Sequence, residues 1–253
     1  MKYQMEGTKS MKTLVTGMLL LVVGAFAAFA DEKRILVYGD SNTWGWKPVA
    51  NGYPTTRHDD ATRWGGVLQS ELGPEFKVVV DGLVGRTTDL NGGAAGLVEP
   101  HDFNGASALG DTLASQGPLD LVVVMLGTND LQESRNRAPE DVASALVGLA
   151  NMIQGADGLL FSSYPAPKVL LVAPPPLGDT GNTPLAALFA AGEEPSRTLG
   201  TEVVRAATDA GVPVLDAGRA ISTDGVDGIH LTAEAHRDLG VFVADKVKDL
   251  LSR

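Results

Sequence analysis

The stretch RILVYGDSNTWGW, residues 34–46, decides the fold of this chain. It opens with an apolar run, residues 35–38, and stops abruptly at Gly39, Asp40 and Ser41. A short apolar run that ends in a glycine turn predicts a buried strand. In open parallel sheets, ligands bind just outside the carboxyl ends of the strands. We therefore expect Ser41 at the edge of a sheet, in a position that suits a nucleophile.

Apolar runs that predict strands alternate with segments of helical periodicity along the rest of the chain. The predicted strands are 34–39, 77–81, 119–126, 168–173 and 212–215, and the predicted helices lie near 62–72, 106–115, 139–154, 193–210 and 232–251. Strands that alternate with helices and are apolar on both sides indicate a parallel sheet covered by helices on both faces. The sequence therefore predicts an α/β fold, a three-layer α/β/α sandwich whose five-stranded parallel sheet has the flavodoxin-like order.

The composition is that of a globular protein with a large core. The 253 residues are 44% hydrophobic and 20% charged, which suits one large α/β domain. The net charge of −11 disfavours nucleic acid and anionic membrane surfaces as binding partners. The absence of cysteine excludes disulfides, a lipoprotein cysteine and a thiolate site.

Several short motifs that would indicate other kinds of site are missing from the sequence. It has no H-E-x-x-H zinc motif, no Walker A loop and no dinucleotide-binding glycine motif, so we predict neither a metal nor a cofactor. It also has no G-x-S-x-G elbow, which argues against the α/β-hydrolase fold.

The N-terminal segment has the parts of a secretory signal peptide. Lys12 precedes an apolar run that starts at Leu14 and closes with the A-x-A site of residues 28–30. We predict a signal peptide over residues 1–30, a single domain over residues 31–253, and a periplasmic or secreted protein without membrane contact after cleavage. The apolar run is short for a membrane span, and an uncleaved anchor is the alternative.

Four stretches that follow strands or precede the last helix are expected at the same edge of the sheet: residues 39–41, 81–88, 127–130 and 227–230. A serine is a poor nucleophile until a base takes its proton, and that base needs a third group to orient it. Asp227 and His230 lie three positions apart, which allows the carboxylate to meet one imidazole nitrogen while the other faces Ser41.

An oxyanion that forms during such chemistry needs preorganised donors. The backbone N–H groups of Ser41 and Gly85, together with the Asn129 amide, are candidates, and glycine at 85 lets the backbone approach a substrate closely. Each motif alone has a simpler interpretation: a helix N-cap at Asp40, a tight turn at Gly85, or a local turn bond at Asp227. All four in the required order favour a catalytic site.

These stretches resemble the sequence blocks of the SGNH hydrolases, also called the GDSL family of esterases and lipases, over nearly all of residues 33–251. Asn42 stands where the family name has leucine, at a position that is not catalytic. The stretches GDSNTWGW, GLVGRTT, FNGAS, VVVMLGTND, YPAPKVLLVAPPPL and STDGVDGIH are similar to the bacterial arylesterase and acyltransferase branch, which includes a mycobacterial acyltransferase.

The resemblance implies a role for each matching residue. Ser41 would be the nucleophile, His230 the general base and then acid, and Asp227 the group that orients His230. Gly85 and Asn129 would complete the oxyanion hole with the Ser41 amide. Trp44, Ile229 and Phe189 would be pocket walls, with ordinary core packing as the alternative for these last three.

The function that the resemblance implies is that of a serine esterase acting on small-molecule esters with short acyl groups, with acyl transfer to alcohols or peroxide as a further activity. A carbohydrate O-acetyl esterase of the cell envelope is the alternative, and a non-enzymatic envelope binding module is a third. Branch relatives assemble from several subunits, and the loops 86–104 and 174–192 are rich in Gly, Pro and Ala with few charges. We therefore predict a homo-oligomer, with a monomer as the alternative.

Overall fold

A sheet of five parallel strands forms the core of the domain. The structure is a computed structural model, and it describes residues 32–93, 95–223 and 225–252. The strands are β1 (Lys33–Gly39), β2 (Phe76–Gly82), β3 (Leu121–Met125), β4 (Lys168–Ala173) and β5 (Val214–Asp216). Their spatial order is β2-β1-β3-β4-β5 and every pairing is parallel. The predicted sheet and its flavodoxin-like order are therefore confirmed.

Helices cover both faces of this sheet. They are α1 (Ser41–Trp44), α2 (Trp64–Leu72), α3 (Gly105–Gln116), α4 (Pro139–Gln154), α5 (Ala186–Phe189), α6 (Glu193–Asp209) and α7 (Ala233–Leu251). Side chains of a strand point alternately to the two faces, so Leu36 and Tyr38 pack with α3, α4 and α6. Ile35 and Val37 pack with α2 and α7 on the other face. The three-layer sandwich is confirmed.

The central strand β3 explains why the strand sequences read as continuous apolar runs. Every side chain from Leu121 to Met125 is at most 1% exposed, because helices cover both faces of the strand. Burial of one aliphatic side chain contributes roughly 1.5–3 kcal/mol, so this strand alone is a substantial part of the core.

The boundaries of the elements differ from the sequence-based expectation at a few places. Strand β5 begins at Val214 rather than at 212, because the Val212 N–H donates to the Ala207 carbonyl at the end of α6 (2.8 Å) and Pro213 has no N–H to donate. The helices α1 and α5 each have four residues, too few to produce a periodic pattern in the sequence.

The described residues, 32–93, 95–223 and 225–252, belong to one compact unit. The predicted signal peptide, residues 1–30, lies outside the described residues. In the described ranges, no helix has both the length and the apolar character that a membrane crossing requires.

Candidate active site

Ser41 lies directly after strand β1, at the first residue of helix α1. Strand β1 ends at Gly39, and α1 begins at Ser41 with Asp40 as its N-cap, which accepts a hydrogen bond from the Asn42 N–H (2.9 Å). A Cβ atom at position 39 would lie 2.1 Å from Thr43 Oγ1 and 2.8 Å from the carbonyl oxygen of Met125, so this turn requires glycine. The turn places Ser41, which is 4% exposed, at the carboxyl end of β1.

Ser41, His230 and Asp227 form a continuous chain of hydrogen bonds. His230 Nε2 is 3.1 Å from Ser41 Oγ, and His230 Nδ1 is 2.8 Å from Asp227 Oδ2. The other carboxylate oxygen of Asp227 accepts from the backbone N–H groups of Ile229 and His230, both at 2.9 Å. The fold thus brings Ser41 into contact with a pair of residues that lie 186 and 189 positions further along the chain.

Electrostatics keep Asp227 ionised in this chain. Burial raises the pKa of the Asp227 carboxyl, but the hydrogen bond and charge of His230 and the two backbone N–H groups outweigh burial and hold the pKa below its usual value. An ionised carboxylate accepts a hydrogen bond from Nδ1–H of the neutral imidazole. Nε2 is then the nitrogen that lacks a proton and faces the Ser41 hydroxyl.

The loop that carries Asp227 and His230 is held by two further contacts. The Gly178 N–H, in the loop after β4, donates to the Gly228 carbonyl (2.7 Å). Asn42 Nδ2, next to Ser41, donates to the Ile229 carbonyl (3.2 Å). Asn42 is 1% exposed, and although its position is not expected to be catalytic, its side chain joins the Ser41 segment to the loop of His230.

Gly85 and Asn129 lie on the two loops beside Ser41. Gly85 follows β2 and has φ +83°, a conformation that favours glycine. Asn129 begins a single 3₁₀ turn after β3, and its Nδ2 donates to the carbonyl of Arg86 (3.1 Å). Its Oδ1 accepts from Gln132 Nε2 (3.1 Å), so both ends of the amide are fixed. One Nδ2 hydrogen remains for a further acceptor.

Arg86 ties the loop that contains Gly85 to the end of β1. Its guanidinium donates to the Gly39 carbonyl (3.0 Å) and pairs with Asp81 (2.9 Å). It also lies over the ring of Tyr38, 4.2 Å from the ring centroid. These contacts make the loop a rigid part of the site rather than a free connection.

Asp130, next to Asn129, anchors the same loop from the other side. It is fully buried and accepts hydrogen bonds from the Thr88 N–H (3.0 Å) and from Arg137 Nη1 (2.9 Å). Burial raises the pKa of this carboxyl, although the Thr88 bonds and the Arg137 charge oppose the rise.

The N-cap Asp40 is also a buried carboxyl, with only 2% of its surface exposed. Burial raises the pKa of Asp40 to about 7; the Asn42 N–H opposes this rise, and the nearby Asp130 adds to it. The protonated form of Asp40 is therefore the one that this site favours.

Two of the three residues expected to wall a pocket lie in one apolar cluster. Ile229 and Phe189 pack in one small apolar cluster with Leu177 and Leu185, beside His230 in the chain. Trp44 is outside this cluster: the Arg57 guanidinium lies over its ring (5.4 Å), it lines a cavity along β2, and its ring is 6.3 Å from that of Trp46.

A different tryptophan contacts the site. The indole of Trp46 stacks on the His230 imidazole, with centroids 4.9 Å apart and an interplanar angle of 16°. Gly45, with φ +97°, ends α1 between the two tryptophans, and the Trp44 ring packs against Trp46 with centroids 6.3 Å apart and an interplanar angle of 53°, one ring further from His230. Both tryptophans follow Ser41 closely in the sequence, but no sequence signal indicates which of them lies on His230.

Among the described residues, no group of three or more His, Asp and Glu side chains is placed to hold a metal ion. The chemistry that this arrangement supports is that of a serine activated by a histidine and a carboxylate, with amide donors close by.

Comparisons with known proteins point in the same direction. Residues 37–237 match the model of a family described as the GDSL-like lipase/acylhydrolase family. The native aryl esterase of M. smegmatis is 44% identical, with a TM-score of 0.81 over 86% of this chain and 99% of that one. Est24, a carbohydrate acetylesterase from Sinorhizobium meliloti, is 40% identical, with a TM-score of 0.80 over 86% of this chain and 99% of that one. A search of curated proteins gave no significant match.

Proposed function

This chain belongs to the GDSL-like lipase/acylhydrolase family, and on that basis we propose that it is a serine esterase that cleaves short-chain acyl esters through an acyl-serine intermediate. The observation that carries the proposal is the buried Ser41–His230–Asp227 chain, with hydrogen-bond distances of 3.1 and 2.8 Å. These distances are within the reach that proton transfer between the groups requires.

The proposed reaction has two halves in which atoms and charges balance. In the first, Ser41 Oγ bonds to the acyl carbon while its proton moves to His230 Nε2, and the imidazolium then gives that proton to the leaving alkoxide. In the second, water bonds to the acyl carbon as its proton moves to Nε2, and Ser41 Oγ leaves with a proton. Asp227 keeps the ring oriented and stabilises its charge in both halves.

Charge on the carbonyl oxygen needs its own donors in both halves. We assign this role to the backbone N–H groups of Ser41 and Gly85 and to the free hydrogen of Asn129 Nδ2. The Arg86 and Gln132 contacts hold the Asn129 amide with its nitrogen on the side of the Gly85 loop, which supports this role. Such preorganisation means that the donors need not reorient as the charge develops.

The preference for short acyl groups rests on the apolar cluster of Leu177, Leu185, Phe189 and Ile229. Ile229 immediately precedes His230, and both cluster members that we assign to the pocket are nearly buried, Ile229 at 1% and Phe189 at 5% exposure. A pocket with walls that are already packed accepts an acetyl group more easily than a long chain. A site that excludes water would also let alcohols or peroxide compete for the acyl-enzyme, and we propose acyl transfer as a second activity.

The experiment that tests the esterase compares the wild type with Ser41→Ala on p-nitrophenyl acetate. We expect the variant to lose nearly all turnover, and His230→Ala to lose a similar amount. The double variant is expected to be scarcely worse, because the two residues act as a unit. Full activity in Ser41→Ala would move the nucleophile elsewhere, and an inactive wild-type protein would favour a non-enzymatic binding module.

A carbohydrate O-acetyl esterase is the second candidate, because Est24 is 40% identical over nearly its whole length. A panel of p-nitrophenyl esters of increasing chain length, together with acetylated sugars, separates the two candidates. A kcat/KM for an acetylated sugar well above that for any simple acetate ester would favour the carbohydrate substrate.

We also propose that the protein is exported and assembles as a homo-oligomer. Residues 1–30 have the basic, apolar and A-x-A parts of a signal peptide, and the loops 86–104 and 174–192 carry few charges. N-terminal sequencing of the protein from the periplasm or medium is expected to give residue 31. Light scattering that gives one chain per particle would contradict the assembly.

A further inference from the structure

The geometry of His230 leaves one degree of freedom that its hydrogen bonds do not fix. Its bonds to Asp227 and Ser41 both lie near the line that joins Nδ1 and Nε2. Bonds at the two ends of a ring fix that line but constrain rotation of the ring plane about it only weakly. The face of the Trp46 indole lies against the imidazole, 4.9 Å away and tilted by only 16°, and packing of this kind sets the plane of the ring.

Trp46 is itself held in place on two sides. Its backbone N–H donates to the Ser41 carbonyl (3.0 Å), so it moves with the serine. It also pairs with Arg57 in an antiparallel bridge, and the His58 N–H donates to the Gly45 carbonyl (2.8 Å) next to it. These contacts fix the backbone that carries the indole, and the indole itself packs between the rings of His230 (4.9 Å) and Trp44 (6.3 Å).

The contact also has an electrostatic consequence. When the His230 ring takes the serine proton it becomes a cation that is 5% exposed, against the negatively polarised face of an indole. The nearby His236 is fully buried, and burial lowers its pKa to about 3, so its ring stays neutral at working pH. The attraction between indole and ring cation exists only after proton transfer, so it lowers the barrier rather than strengthening ground-state binding.

We propose that Trp46 is a positioning residue of this esterase: it fixes the plane of the His230 ring and stabilises the positive charge that the ring gains in both halves of the reaction. This inference rests on the proposed function, since it needs Ser41 and His230 to act as nucleophile and base. It differs from a pocket-wall role, which would change which acyl groups fit but would not change the base.

The test compares Trp46→Leu, which removes the aromatic face, with Trp46→Phe, which keeps one. We expect Trp46→Leu to lower kcat about tenfold and Trp46→Phe to lower it about twofold, each by the same factor for acetate and butyrate esters. Thermal melts of both variants check folding. If Trp46→Leu does not fold, the drop of about twofold in Trp46→Phe, equal for both esters, carries the test, because the smaller ring binds a cation less strongly; an unchanged kcat in that variant would then contradict the proposal.

A pH profile supplies a readout that packing alone would not change. Without the indole face the protonated ring is less stable, so the acidic limb of kcat/KM is expected to move to lower pH in Trp46→Leu and to be restored towards wild type in Trp46→Phe. The other titratable groups near the ring are Asp227 on its own loop, His236 on α7 and His58 on the segment paired with Trp46, and the variants keep all three.

Two outcomes would overturn the proposal. One is a wild-type kcat in Trp46→Leu; the other is a loss that depends on acyl length with an unmoved acidic limb, which is the result expected of a pocket wall. Ser41→Ala separates this failure from failure of the esterase itself. If Ser41→Ala is inactive while Trp46→Leu is unaffected, only the role of Trp46 is wrong.

Discussion

Replacement of Gly228 by alanine tests whether the geometry of the loop between Asp227 and His230 controls the reaction. Gly228 has φ +74°, and an alanine Cβ there would lie 2.6 Å from the carbonyl oxygen of Asp179. Ordinary contact begins at 3.4 Å, so the two backbone segments must separate by 3.4 − 2.6 = 0.8 Å. The neighbouring atom belongs to the backbone, which cannot rotate away as a flexible side chain would.

Gly211 offers a matched control for this substitution. It has φ +69°, follows α6 and has nothing within 4 Å of an added Cβ, so Gly211→Ala introduces the backbone strain without the collision. A left-handed alanine costs about 1–2 kcal/mol, which lowers the melting temperature of a domain of this size by about 2–8 °C. We expect this loss in both variants and a larger one in Gly228→Ala.

The activities of the two variants are expected to differ much more than their stabilities. A displacement of about 1 Å in a catalytic group costs on the order of a hundredfold, so Gly228→Ala should lower kcat/KM for p-nitrophenyl acetate by about that factor. Gly211→Ala should leave kcat/KM unchanged, because residue 211 lies before β5, at the opposite end of the sheet from Ser41. Equal kcat/KM values in the two folded variants would refute the reasoning.

Three other substitutions test separate parts of the site. Asn129→Ala removes an oxyanion donor and should lower kcat by about two to three orders of magnitude in steady-state kinetics. An unchanged kcat would show that Asn129 does not donate to the oxyanion. Asp227→Asn keeps the shape but not the charge and should lower kcat by about four orders of magnitude at neutral pH; a loss below tenfold would contradict it. Asp40, whose pKa is raised to about 7 from 3.8, contributes stability that is fully present below about pH 4 and is lost as the pH rises to 7. Asp40→Asn keeps the N-cap but does not titrate, so its free energy of unfolding, measured with urea, should rise by about 2–3 kcal/mol relative to that of the wild type between pH 5 and pH 8. A difference between the two free energies that stays constant over this range would contradict the raised pKa of Asp40.

The sheet could be predicted because its signal is local and repeated. Each strand is an apolar run with a turn after it, and burial on both faces makes such runs continuous rather than alternating. The parallel direction of the strands followed from the need for all the polar motifs to meet at one edge. The start of β5 was less predictable, since the competition for the Val212 N–H depends on where α6 ends.

The site was only partly predictable for a different reason. Ser41, Asp227 and His230 are residue types with few alternatives for this chemistry, and each follows a strand or precedes a helix. Which tryptophan reaches His230, by contrast, depends on the left-handed Gly45 at the end of a four-residue helix. A helix of that length leaves no periodic signal from which a side-chain direction could be read.

The segment from Ser41 to Trp46 does more than supply a nucleophile, because it also contacts His230 and the residue before it. Ser41 and His230 are 189 positions apart, so their 3.1 Å contact depends on whatever joins the two loops. The residue after Ser41, Asn42, donates to the Ile229 carbonyl, and Trp46 stacks on the His230 ring. Both holding groups lie within five positions of the serine, on either side of the turn that Gly45 makes. One segment therefore carries the nucleophile together with the groups that hold His230 and its loop in place. A shift in the backbone of this segment would move Ser41 and His230 together rather than separate them.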